Sequence, residues 1–160
     1  MNSDLATRAG NLLLQNNFTV AVAESCTGGA LTDRLTDVAG SSRYVLGAVV
    51  SYAAAVKRDV LGVSADTLKN FGAISPQCAK EMAMGARKLM HASVGVSVTG
   101  NAGPVGDEDK PVGLIYIGLS VGGNTFVKEF HFAGSRREIK EATADNALNI
   151  LIDCLEGDNL

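Results

Sequence analysis

A serine follows directly on a short apolar run in the stretch Ser25-Cys26-Thr27-Gly28-Gly29. A turn that opens a helix at such a point presents free backbone N–H groups to an anion, and glycines let a ligand approach the main chain. Ser25 can there donate to a phosphate, or attack a carbonyl if a base lies nearby. The same residues also suit an ordinary Ser/Thr helix cap with a glycine pair. Tyr52 and Lys57 lie past the next apolar run. If the two runs are parallel, adjacent strands, Ser25, Tyr52 and Lys57 emerge on one rim. A lysine buried there loses proton affinity by desolvation and can deprotonate a hydroxyl. The plainer alternative is a solvated helix lysine beside a packed tyrosine. A third set is Thr99-Gly100-Asn101-Ala102-Gly103-Pro104. Its main chain at Gly100, Ala102 and Gly103 suits an oxyanion hole or a ribose phosphate. Arg136 and Arg137 read either as a phosphate clamp or as exposed arginines.

Other chemistries are excluded by what is missing. No GxxxxGK[ST] or GxGxxG pattern occurs, so triphosphate and dinucleotide sites are not expected. Three cysteines without a CxxC pair argue against a disulfide framework and a zinc site. His91 and His131 stand in neither HxxH nor HExxH spacing, so neither a metal nor a cofactor is expected. Cys26 has no sequence-near histidine and reads as a small buried hydrophobe, and His131 reads as structural. Fourteen basic against 17 acidic residues give a net charge of −3, and aromatics are 5% with no Trp. That is the wrong sign and the wrong stacking surface for a nucleic-acid partner. Asp4 sits where a signal peptide needs a basic region, and no apolar run approaches a membrane span. The expectation is a cytoplasmic protein with no membrane partner.

The elements that must position these residues are legible in the periodicity. At 160 residues the chain suits one domain over 1–160, burying about 68–70% of its unfolded surface. Its 18 glycines exceed the about 11 expected from average usage, which points to tight turns and backbone near a ligand. Leu5, Ala9, Leu12 and Leu13 predict a helix over roughly 3–16. Phe18–Ala23 reads as a buried central strand, and Leu31, Leu35 and Val38 mark the helix after it. Val45–Tyr52 reads as a second buried strand, followed by a helix through Lys57 and Val60. Ser64 caps a short helix ending near Gly72, and Ser75-Pro76 opens one to about Met90. Ser93–Thr99 is a third strand. Strands at roughly 112–121 and 125–132 flank the hairpin signal Gly122-Gly123-Asn124. A last helix over about 135–155 turns Ile139, Ala142, Leu148 and Ile152 inward. The pattern predicts a three-layer α/β/α domain with a mixed, mostly parallel sheet.

Several segments together resemble one family. Ala23-Glu24-Ser25-Cys26-Thr27-Gly28-Gly29 is similar to the AESCTGG signature of the CinA C-terminal domain family, which includes bacterial nicotinamide-nucleotide amidohydrolases. The similarity continues through Ala39-Gly40-Ser41-Ser42, Ala73-Ile74-Ser75, Ala102-Gly103-Pro104, Lys110-Pro111-Val112-Gly113 and Phe132-Ala133-Gly134-Ser135-Arg136. The resemblance implies an α/β/α domain, usually a homo-oligomer. It also implies metal-free hydrolysis of the carboxamide of nicotinamide mononucleotide to nicotinate mononucleotide and ammonia. Carried over by position, Ser25 is the nucleophile, and Tyr52 and Lys57 match the Tyr and Lys of a YSNEAK-like segment. That match implies Lys57 as the base that activates Ser25 and Tyr52 as the group that relays or orients the proton. Backbone N–H groups at Thr27, Gly28 and Gly29, or at Ala102 and Gly103, would meet the oxyanion or the 5′-phosphate.

The chain departs from the family pattern beside these residues. Ala53-Ala54-Ala55-Val56 replaces the usual Ser-Asn-Glu-Ala, and Asn101 stands where Ile is common. A shorter Val105-Gly106-Asp107-Glu108-Asp109 replaces a glycine-rich stretch, with acids that repel a phosphate if they face the pocket. Ser135 replaces an Asp and Lys140 an Arg. Two readings follow. One is an amidohydrolase acting on nicotinamide mononucleotide, or on a related amide if the altered loops change specificity. The other is a catalytically degenerate relative that keeps the fold and an anion- or nucleotide-binding pocket as a binding or interaction protein.

Overall fold

The computed structural model describes residues 3–157. Helix α1 (Ser3–Gln15) leads to β1 (Val20–Glu24), α2 (Ala30–Thr36), a 3-10 turn at Ser41–Arg43 and β2 (Val45–Val50). Three helices follow, α3 (Ala54–Asp59), α4 (Ala65–Phe71) and α5 (Pro76–Leu89). The chain then forms β3 (Val94–Gly100), the hairpin β4 (Leu114–Val121) and β5 (Asn124–His131), and α6 (Arg136–Glu156). The strands lie in the order β2-β1-β3-β4-β5. β1 pairs in parallel with both β2 and β3, whereas the β3–β4 and β4–β5 ladders are antiparallel. The mixed sheet is as expected, with β4 alone running against the rest among the described strands.

β1 is buried along its whole length, and its alternation explains the layers. Val20 and Val22 enter the core shared with α1, α2 and α6, while Ala21 and Ala23 face Cys78, Met82 and Ala86 of α5. By the same parity Glu24 points with Val20 and Val22, under the start of α2. On the opposite face α5 lies close to the sheet: a Cβ at Gly95 would stand 2.1 Å from the Ala83 carbonyl oxygen. Ser97 Oγ fills the neighbouring position and donates to the Ala79 carbonyl at 2.6 Å.

The caps predicted at Ser64 and Ser75 are present: Ser64 accepts from Thr67 N–H, and Ser75 accepts from Cys78 N–H ahead of Pro76. A further cap, not predicted, is the reciprocal capping box of Ser135 with Glu138 on α6. The hairpin closes where Val121 pairs with Asn124. Ile139, Leu148 and Ile152 of α6 are buried, and Ala142 is half-buried. One expectation is corrected: β2 is not a buried strand. It lies at the edge of the sheet with Leu46 and Val50 exposed, because the crossover after it adds β3 on the far side of β1. No helix among the described residues is long and apolar enough to cross a membrane.

Candidate active site

The carboxyl ends of the parallel strands β2, β1 and β3 converge on one edge, where open α/β sheets bind ligands. Ser25 is the first residue after β1, Ser51 and Tyr52 follow β2, and Asn101 follows β3. The turn holding Ser25 is built around Glu24, which is wholly buried. Its Oε2 accepts from Thr27 Oγ1 at 2.5 Å, Gly29 N–H at 3.0 Å and Leu31 N–H at 3.2 Å. Its Oε1 accepts from Thr32 N–H at 2.8 Å and Thr32 Oγ1 at 2.5 Å. A buried carboxylate thus satisfies the orphan donors at the start of α2 and lies at the positive end of its dipole. The chain reaches this geometry through Gly28 and Gly29, whose φ values of 63° and 107° side chains rarely adopt.

This corrects the expected role of the Gly28 and Gly29 N–H groups as ligand contacts. The Thr27 hydroxyl and the Gly29 N–H are consumed by Glu24, and Gly28 N–H donates to the Ser25 carbonyl at 3.1 Å. These three residues hold the nucleophile's turn and do not line the cavity in front of it. Cys26 and Ala102 do line it, and their N–H groups make no hydrogen bond among the described residues.

Lys57, on α3, is 1% exposed although its neighbours Ala55 and Arg58 are solvated. Its Nζ donates to Ser25 Oγ at 2.8 Å and to the Ser51 carbonyl at 2.5 Å. Ser51 is in turn fixed to the end of β1, its N–H and Oγ both donating to the Glu24 carbonyl, at 2.7 and 3.1 Å. No carboxylate pairs with Lys57 within ion-pair distance among the described residues. Burial pushes its ammonium below the ordinary lysine value, opposed by weaker attraction to the Cys78 and Cys26 thiols and to Glu108. Desolvation holds the Cys26 thiol up at about 12, so it is a protonated core residue beside the nucleophile.

The cavity in front of Ser25 and Lys57 encloses about 230 Å3. Its far wall is the segment Thr99–Gly103 and the α4–α5 connection at Ala73 and Ile74. Thr99 Oγ1 donates to the Ala73 carbonyl at 2.8 Å, tying the two together. Asn101 organises the following loop: its Oδ1 accepts from Gly103 N–H at 3.0 Å and its Nδ2 donates to the Lys110 carbonyl at 3.3 Å. The departure from the family pattern at position 101 is therefore a structural brace. Glu108, from the shortened acidic segment, folds back so that its carboxylate accepts from both Ala73 N–H and Ile74 N–H at 2.9 Å.

Arg136, at the start of α6, stands at the mouth. Its guanidinium donates to the Gly103 carbonyl at 2.5 Å and to Tyr52 Oη at 3.0 Å, bridging two sides of the opening. Tyr52 itself is 65% exposed, so it lines the same cavity as Ser25 and Lys57 but hydrogen-bonds to neither. Arg137 pairs with Glu141 on its own helix at 3.0 Å. A larger groove of about 600 Å3 runs alongside between α2 and α6 and shares Arg136 with the cavity. Its walls carry Arg34, Arg137 and Lys140 but no nucleophile. His131 stands exposed on β5 beside Glu129 at 2.6 Å, outside the cavity wall. Sequence reading assigned no role to Glu24 or Ser51, although Glu24 carried a usable signal, an acid closing a buried strand in phase with Val20 and Val22. The acids of the shortened segment were expected to matter if they face the pocket, and Asp107 and Glu108 do line it.

The sequence and the fold have close relatives. The sequence profile of the CinA C-terminal domain matches residues 2–155. A CinA-like protein of Endomicrobium trichonymphae is 47% identical over 151 residues, 94% of this chain and 35% of that protein. A CinA-like protein of Acaryochloris marina is 48% identical over 145 residues, 89% of this chain and 35% of that protein. The chain therefore spans about a third of the length of the curated relatives it matches. Among solved structures, the competence/damage inducible protein CihA from Agrobacterium tumefaciens superposes with a TM-score of 0.91 at 41% identity, covering 96% of this chain and 94% of that one. A CinA superfamily protein from Klebsiella pneumoniae superposes at 0.95 with 30% identity, covering 98% and 99%. With the family profile running across nearly all of its length and the fold reproduced from end to end, this chain belongs to the CinA C-terminal domain family.

Proposed function

We propose that this domain is an amidohydrolase that opens the carboxamide of nicotinamide mononucleotide with Ser25 as nucleophile and Lys57 as base. The observation that carries the reading is the 2.8 Å contact between Ser25 Oγ and a buried Lys57 that has no carboxylate partner among the described residues. A neutral Lys57 amine accepts the Ser25 hydroxyl proton as Oγ bonds to the amide carbon. The oxyanion of the tetrahedral intermediate meets the unused N–H groups of Cys26 and Ala102, the former on the residue after the nucleophile. Collapse breaks the C–N bond, and Lys57 returns its proton to the departing ammonia. Water, deprotonated by the same amine, then cleaves the acyl ester, regenerating Ser25 and releasing a carboxylate.

A cavity of about 230 Å3 accommodates an aromatic amide, so the rest of a nucleotide leaves past Tyr52 and Arg136. Arg136 borders both the cavity and the groove that carries Arg137 and Lys140, which offers a course for a 5′-phosphate. Tyr52 acts at the mouth in this arrangement, as the acceptor that holds Arg136. The test is incubation of purified protein with nicotinamide mononucleotide. Nicotinate mononucleotide and ammonia are expected in equal amounts. Absence of both from a folded sample overturns the reading in favour of a relative that binds without turnover.

A further inference from the structure

Glu108 is the charged feature of the cavity that the hydrolytic steps leave unused. Its residue is exposed, yet its carboxylate is fixed against the α4–α5 connection by the Ala73 and Ile74 N–H groups, both at 2.9 Å. The backbone is shaped for this placement. Glu108 and Asp109 occupy the left-handed region at φ 51° and 58°, unusual for two consecutive residues that are not glycine. Opposite them, Gly72 at φ 80° leaves the carboxylate space that a Cβ would fill, 2.5 Å from Oε2. The two N–H donors satisfy oxygen lone pairs but do not neutralise the charge, and no Lys or Arg forms an ion pair with Glu108 among the described residues.

Glu108 and Asp107 thus put negative charge on the wall of a cavity whose lysine must be neutral to act, while Arg136 at the mouth is turned to Gly103 and Tyr52. We infer that Glu108 selects for an amide carried on a positively charged ring, an N-alkylated pyridinium, over an uncharged analogue of the same shape. The inference rests on the amidohydrolase reading above and sharpens its substrate class. The same charge weakens product binding: the neutral amide group becomes a carboxylate, which the wall repels.

The test compares ligands that differ in ring charge, nicotinamide mononucleotide and its reduced, uncharged dihydropyridine form. Binding is measured by calorimetry to Ser25→Ala, which cannot consume them, with and without Glu108→Gln. The preference for the oxidised ligand is expected to fall roughly tenfold on removal of one nearby charge. Glu108→Asp should retain most of it, and so should Asp109→Asn, which lies outside the cavity wall. A ratio unchanged by Glu108→Gln overturns the inference. Equal weakening of both ligands also overturns it, since that is what a purely structural loop anchor would give. Failure of both ligands to bind does so as well. Ammonia release by the wild type, measured alongside, decides the amidohydrolase reading separately.

Discussion

The catalytic claim at the residue scale is about one proton on Lys57. Burial lowers its ammonium below 10.5, so a rising pH converts it to the free amine at a lower pH than an exposed lysine would need. Turnover is therefore expected to climb with pH through the lowered value and then level. A rate that shows no rise with pH anywhere below 10.5 would remove Lys57 as the base. The same shift makes a stability prediction. Between the lowered folded value and 10.5 the unfolded chain binds more protons than the native one, so stability attributable to this site rises with pH across that window. Lys57→Met removes this contribution. Urea titrations should show the variant's advantage over wild type shrinking as pH rises, and a constant difference would contradict the burial argument. Cys26 offers a complementary check. With its thiol held at about 12 and its side chain 6% exposed, it should resist alkylation at pH 8 while the half-buried Cys154 is modified first. Alkylation of Cys26 ahead of Cys154 would contradict the burial that holds its thiol protonated.

At the scale of elements, the Ser25 turn is only as well placed as Glu24 makes it. Five donors from four residues of the turn and α2 converge on that carboxylate. Glu24→Ala strands them in the core, and a loss of about 3–5 kcal/mol is expected from urea unfolding. A cost under about 1 kcal/mol would show that α2 caps itself by other means. The elements themselves were largely legible in the sequence. Ser64, Ser75-Pro76 and Gly122-Gly123 marked their boundaries because caps and tight turns are local chemistry, written in adjacent residues. The strand over 45–50 read as buried because its apolar run is continuous, yet burial of a strand depends on which neighbours the crossovers supply.

The whole molecule brings together what no local pattern could. Ser25 and Lys57 are 32 residues apart and were expected on one rim, which the β2–β1 pairing provides. Tyr52 shares that rim as expected, but the first turn of α6 arrives from 84 residues away and draws its hydroxyl to Arg136, away from the Ser25–Lys57 pair. The Gly28–Gly29 pair resembled an anion site because free N–H groups are the default at a helix start. Only the fold shows Glu24 already there. Asn101 and Glu108 looked like departures in a loop and proved to be its internal fastenings. Arg136 joins α6 to both sides of the mouth, and its planar guanidinium makes two contacts that an ammonium cannot reproduce together. Arg136→Lys is expected to leave the melting temperature within a few degrees and raise KM for nicotinamide mononucleotide about tenfold, with a smaller change in kcat. An unchanged KM would exclude Arg136 from substrate contact.

The most direct test of the central claim is ammonia release from nicotinamide mononucleotide by wild type, Ser25→Ala and Lys57→Met, each first shown by circular dichroism to be folded. The account predicts turnover by wild type and a loss of at least about a thousandfold in either variant, since nucleophile and base act as one unit. A Ser25→Ala or Lys57→Met protein that works at the wild-type rate would contradict it.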